Sequence, residues 1–192
     1  MRPVQIAHID ILYSRIQNTP VELKAQDVVI VLKLLANGAA PWTYARLSEE
    51  LGISVSQIHS AVGRSVAARL IEKDQQLQPF RPHVKEFLVH GVKYCFPAEA
   101  GQLTRGIPTA YAAPPLNSIV MEAGDPPPVW PYAKGEVRGM ALLPLHRAVP
   151  QAAMKDQKLY EMLALLDSIR FGRAREREHA VRELTHRIDQ AW

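Results

Sequence analysis

Thr43-Tyr-Ala-Arg-Leu-Ser-Glu-Glu-Leu-Gly-Ile-Ser-Val-Ser-Gln-Ile-His-Ser-Ala-Val-Gly-Arg-Ser-Val-Ala-Ala-Arg-Leu-Ile71 reads as two helices joined by a tight turn at Gly52. A glycine directly after Leu51 supplies the left-handed conformation that ends the first helix, and Ser54 offers its hydroxyl to the open amides of the second. Gln57, three residues on, completes a capping box. In the second helix Ile58, Val62 and Val66 recur every four residues and Leu70 follows. One stripe is therefore apolar while Ser56, Gln57, Ser60 and Arg64 face elsewhere.

Working outward, residues 24–36 are apolar on most sides and closed by Asn37-Gly38, which predicts a core helix. Thr43 is placed to cap the helix over 44–51. After the third helix, 70–73 and 77–80 pattern as a strand and its return across a turn at 74–76, although Pro79 weakens the return strand. Pro82 opens a short helix with Val84, Phe87 and Leu88 inward, ending at Gly91. The alternation of Val92, Tyr94 and Phe96 with Lys93 and Cys95 predicts a further strand.

Between residues 97 and 150 the character changes, because 10 of the 15 prolines and 5 of the 10 glycines fall there. Regular helix is not expected, yet Ile107, Tyr111, Leu116, Trp130 and Tyr132 make the stretch too apolar for a solvated linker. It reads as extended chain draped over the folded part or a partner, with short strands at 118–122 and 136–142. Gly101-Gln-Leu-Thr-Arg-Gly106 reads as a turn. Residues 157–188 are helical in pattern, interrupted at Phe171-Gly172. The stripe of Leu159, Met162, Leu163, Leu166 and Ile169 reads as core or a dimer seam. The scheme is a mainly α chain with a small β component (α+β). Residues 1–96 form the first unit, 97–150 a Pro/Gly-rich extended segment and 151–192 a C-terminal helical segment.

The chain has 192 residues, 47% of them hydrophobic, which is enough for a real core. No run approaches the roughly 18 apolar residues of a membrane span. The start lacks an apolar stretch of signal-peptide length, so the expected location is cytoplasmic. Cys95 is the single cysteine, which excludes an internal disulfide or a cysteine-rich zinc site and predicts a small buried group. Of the net charge of +4, an excess of three lies in residues 24–97. Residues 51–71 hold Arg64 and Arg69 and no acid, which makes an anionic partner plausible.

From about residue 21 to 80 the chain resembles the MarR type of winged helix-turn-helix regulator. The carrying motif is Leu47-Ser-Glu-Glu-Leu-Gly-Ile-Ser-Val-Ser-Gln-Ile-His-Ser-Ala-Val62. The resemblance implies a DNA-binding transcriptional regulator, with repression the commoner mode, acting as a homodimer on a two-fold site in double-stranded DNA. Its recognition helix would span about 55–70. Carried over position by position, Val55, Ser56, Gln57 and Ser60 would approach base edges, with His59 and Arg64 flanking. Ser54 and Thr43 would suit phosphates at helix starts. The side chains fit those roles. Gln57 can pair with adenine, Val55 can touch a thymine methyl, and Arg64 can bind guanine or the backbone. The sequence departs from the family in its wing, where Asp74-Gln75-Gln76 replaces the usual basic residues and Lys73 is the cation. Gly63 costs about 1 kcal/mol relative to alanine in mid-helix, which points to close packing against another helix.

No catalytic, metal or cofactor site is expected. Glu176 with His179 and Glu183 with His186 have the spacing used by di-iron bundles, but they share one arginine-rich helix that reads as a solvated face. Ser56 and Ser60 near His59 lack an orienting carboxylate. No phosphate-binding glycine loop, dinucleotide turn or His-Glu-x-x-His motif occurs. The alternative from another class is an interaction protein, such as an adaptor or antitoxin-like subunit, that grips a partner protein through residues 97–192.

Overall fold

The apolar run at residues 28–32 becomes the centre of α1 (Ala25–Ala36), in which every residue from Asp27 to Ala36 is buried. A helix apolar on all sides needs neighbours all round. Its neighbours are α3 (Val55–Ala67) on one side and α7 (Gln157–Phe171) on another. α2 (Tyr44–Leu51) packs on α3, so Leu47, Leu51, Ile53, Ile58 and Ala61 are almost fully enclosed. Each of the leucine and isoleucine side chains is worth about 1.5–3 kcal/mol of burial. The computed structural model describes residues 22–38, 42–72, 76–119 and 126–190.

The expected pair of strands after α3 shrinks to a single antiparallel bridge, Ile71 with Pro79. Glu72 donates to the Gln78 carbonyl at 2.8 Å and Phe80 to that of Leu70 at 2.9 Å, but Leu77 has φ of 55°. A left-handed residue and a proline without an N–H stop the ladder from growing. Residues 73–75, with Lys73 and most of the expected wing turn, lie outside the described residues.

The strand expected at 92–96 is helical. α4 (Arg81–Glu86) passes through a π turn, Phe87–Gly91, into α5 (Val92–Cys95), so Gly91 continues the helix instead of ending it. Val92 is buried, whereas Tyr94 is 76% exposed, which is helical spacing and not alternation. Cys95, expected inside, is exposed.

Residues 97–150 are not simply draped chain. β1 (Ala100–Pro108), β2 (Pro128–Pro131) and β3 (Val137–Leu142) close into a three-stranded barrel, with β1 antiparallel to both others and β2 parallel to β3. The turn expected at 101–106 is therefore most of β1. The strand expected at 136–142 is present. Of the other expected strand, 118–122, Ser118 closes a 3-10 turn, Leu116–Ser118, residue 119 follows in a turn, and 120–122 lie outside the described residues. Glycine is what lets so small a barrel close. A Cβ on Gly106 would overlap the Trp130 carbonyl, and one on Gly139 the Pro127 carbonyl.

α6 (Val149–Lys155), α7 and α8 (Ala174–Asp189) complete the chain, with the break at Gly172 where the sequence places it. Leu159, Met162, Leu163, Leu166 and Ile169 are buried within the chain, so the stripe is core. One apolar cluster runs from Val28 to Ile188 and joins all three segments. Among the described residues no helix is long and apolar enough to cross a membrane.

Buried charge ties these layers together. Lys33, 4% exposed, reaches Glu50 of α2 at 2.6 Å and Asp156, the N-cap of α7, at 2.5 Å. Burial alone would raise both carboxyl groups. The Lys33 ammonium outweighs it, helped by Arg46 at Glu50 and by the Leu159 amide and Asn37 at Asp156, and holds both below the usual range. Deeper still, Asp167 accepts from Trp130 at 2.6 Å, Thr109 at 2.8 Å and Arg170 at 2.6 Å. Burial pushes its pKa up against the pull of Arg170 and the other donors. Arg170 also donates to the Phe96 and Pro97 carbonyls, which anchors the entry to β1.

Candidate nucleic-acid interface

The turn between α2 and α3 is built as its sequence dictates. Gly52 adopts φ of 66°, and no atom lies within 4 Å of where a Cβ would stand, so conformation and not space requires glycine. Thr43 accepts from the Arg46 amide at 3.1 Å and starts α2. Ser54 accepts from the Gln57 amide at 3.4 Å and gives its own amide to Gln57 Oε1 at 3.4 Å, closing the capping box.

Beyond the cap, α3 presents an outward face of Val55, Ser56, Gln57, His59, Ser60 and Gly63, all exposed. Val55 keeps 49% of its surface open, a methyl pair in water beside three small polar groups. His59 leans against the Tyr44 ring at 5.3 Å. Gln57 is less free than its exposure implies, because Oε1 also accepts from the Ser54 hydroxyl at 2.9 Å. A bidentate contact to adenine would take that oxygen out of the cap. Gly63 meets nothing within 4 Å, so the helix expected to pack against it is not there among the described residues.

Arg64, expected to flank the reading face, is committed elsewhere. Its guanidinium makes a two-pronged contact to Asp27, Nε to Oδ2 at 2.7 Å and Nη2 to Oδ1 at 2.6 Å. Asp27 is fully buried and also accepts the Lys24 amide at 2.9 Å. This hydrogen-bonded pairing raises the already high pKa of Arg64 further. A guanidinium held in this fork positions α3 on α1 and has no spare geometry for a base edge. Asp27 is thus the residue that sequence reasoning passed over. The signal was an acid set in a mostly apolar helix, which demands a cation when buried.

A further cation, Arg69, follows the helix. It is exposed at the end of α3 with φ of 59°, and its carbonyl lies 3.0 Å from His83 Nδ1 in a hydrogen bond. The structure brings together Thr43, Ser54, Val55, Ser56, Gln57, His59 and Ser60, turns Arg64 inward, and leaves Lys73 outside the described residues.

The two Glu-x-x-His pairs are occupied by local contacts. Glu176 is buried at the start of α8 and accepts the Arg173 amide at 3.0 Å, while Glu183 pairs with Arg187 at 2.8 Å. His179 meets Arg182 at 2.6 Å and His186 meets Gln190 at 2.7 Å. No cluster suited to a metal ion occurs among the described residues. The chain matches no protein-family model, no curated protein and no solved structure.

Proposed function

We propose that the chain is a DNA-binding transcriptional regulator of winged helix-turn-helix type, a repressor that works as a homodimer on a two-fold site. The observation that carries this reading is the face of α3: a capped helix start, an exposed apolar side chain at Val55, small polar groups at Ser56, Gln57 and Ser60, and no acid from residue 51 to 71. Such a face can enter a major groove without carrying repulsive charge into it. Specificity rests on Ser56, Gln57 and Ser60, with Thr43 and Ser54 at phosphates and Arg69 supplying charge. Arg64 holds the helix in place. Because the α7 stripe is spent on the chain's own core, a second copy would dock on another surface.

The test is a titration of labelled duplexes selected from a random pool. Ser56→Ala and Ser60→Ala should each cost about 1–3 kcal/mol on the selected sequence and little on a scrambled one. Equal affinity of both variants and wild type for the selected duplex would remove α3 as the reader.

A partner-binding adaptor is the second reading, favoured by the exposed apolar side chains Tyr94 at 76%, Met154 at 63% and Leu143 at 52%. Co-purification from the native host separates the two. An adaptor returns with a stoichiometric partner, a regulator returns without one.

A further inference from the structure

Two arginines stand directly opposite each other on the barrel. Arg105 of β1 is the ladder partner of Arg138 of β3, and both are exposed. Opposed residues on an antiparallel pair lie on the same face with Cβ atoms about 5 Å apart, and like charges there destabilise the sheet. The other arginines that bind the fold together have acids: Arg64 has Asp27, Arg170 has Asp167, Arg187 has Glu161 and Glu183. Among the described residues neither Arg105 nor Arg138 has an ion-pair partner, and the exposed Glu136 pairs with neither.

The Tyr132 amide donates to the Arg105 carbonyl at 3.2 Å, which draws the turn before β3, with the exposed Lys134 in it, against β1. Gly106 and Gly139 follow the two arginines on their strands at points where the backbones touch. A repulsive pair at opposed strand positions adds nothing to folding. An anion between the two guanidinium groups removes the repulsion and gains charge-assisted hydrogen bonds.

We propose that Arg105 and Arg138 form a phosphate clamp that grips the sugar-phosphate backbone of duplex DNA, as a sequence-independent contact in addition to that of α3. This rests on the DNA-binding reading above. Charge complementarity selects the occupant: the face offers paired planar donors to an extended polyanion, and planar guanidinium forks match phosphate geometry.

The test uses the full chain and measures Kd for the selected and the scrambled duplex from low to high salt, for wild type, the double variant Arg105→Gln with Arg138→Gln, and the double variant Arg105→Lys with Arg138→Lys. Each phosphate contact contributes about 0.9 to the slope of log affinity against log salt, so the glutamine variant should lose about 2. Its affinity should fall by the same factor on both duplexes, and the lysine variant should keep most of the slope. Thermal unfolding of both variants should match or exceed that of wild type, since repulsion has been removed or kept. Wild type that binds duplex with a slope unchanged in the glutamine variant overturns the clamp and leaves the α3 reading intact. Wild type that binds no duplex overturns both. Retention on immobilised polyglutamate with no retention on duplex assigns the arginines to an acidic protein and overturns the clamp on DNA.

Discussion

Replacing Lys33 with methionine removes the ammonium shared by Glu50 and Asp156 while keeping the stem that fills the space between α1, α2 and α7. The side chain is 4% exposed, and the two carboxylates are 30% and 14% exposed, so neither can recover full hydration. Removing one partner from a buried ion pair costs about 3–5 kcal/mol. Glu50 retains Arg46 at 2.8 Å and Asp156 retains Asn37 at 3.0 Å and the Leu159 amide at 3.1 Å, which places the expected loss near the lower end, about 3 kcal/mol at pH 7. With a urea slope of about 2 kcal/mol/M the midpoint should fall by about 1.5 M, followed by circular dichroism at 222 nm. The pH dependence has a definite sign. Both carboxyl groups are held below their ordinary values in the folded state, so their contribution is complete above about pH 5 and is lost as pH falls through the folded values. The gap between wild type and variant should therefore narrow as pH drops below about 5. Adding Glu50→Gln and Asp156→Asn to Lys33→Met should recover part of the loss at pH 7, because no buried charge is then left unpaired. A loss under about 1 kcal/mol at pH 7, or a gap that does not change with pH, would refute the reasoning.

Arg64→Ala should lower stability by about 3 kcal/mol by leaving the fully buried Asp27 carboxylate without its cation, and Arg64→Ala with Asp27→Leu should be more stable than Arg64→Ala alone in the same urea titration. Gly139→Ala forces a Cβ into the Pro127 carbonyl, so the barrel must open and thermal unfolding should report a loss of about 3 kcal/mol or no folded protein. Burial of Tyr160, whose hydroxyl donates to the Pro108 carbonyl at 2.8 Å, raises its pKa to about 12. Absorbance at 295 nm should show one tyrosine ionising well after the exposed ones, Tyr160→Phe should abolish that late step, and stability should decline as pH rises past about 10 towards 12.

The helical trio was legible because its signals are local. Gly52, Ser54 with Gln57, and Thr43 each act within four residues, and the structure places each at the turn or cap that its chemistry predicts. Strand β3 and the break at Gly172 were legible for the same reason. What escaped depends on distance. Nothing near Arg64 reveals that its partner lies 37 residues away in α1. Alternation at 92–96 was misleading because the π turn at Phe87–Gly91 adds a residue to a helix that carries on, and its exposed Tyr94 has no inward task. The barrel hid behind its prolines, which sit at the ends of β1 and β2 where a missing N–H does no harm, and behind glycines whose role is contact between backbones. Of the candidate face, the polar residues of α3 could be read directly, whereas the inward turn of Arg64 could not.

α1 is latched at both ends. Near its start Asp27 grips α3, and near its close Lys33 grips α2 and the first turn of α7, so a single buried rod carries a pin of each sign about one and a half turns apart. Neither pin slides freely, since each is a short contact whose α1 member, Asp27 or Lys33, is buried. A movement of the C-terminal half against α3 cannot be absorbed gradually along such an axle. It must travel through α1 as a rigid tilt or break one of the two pins outright.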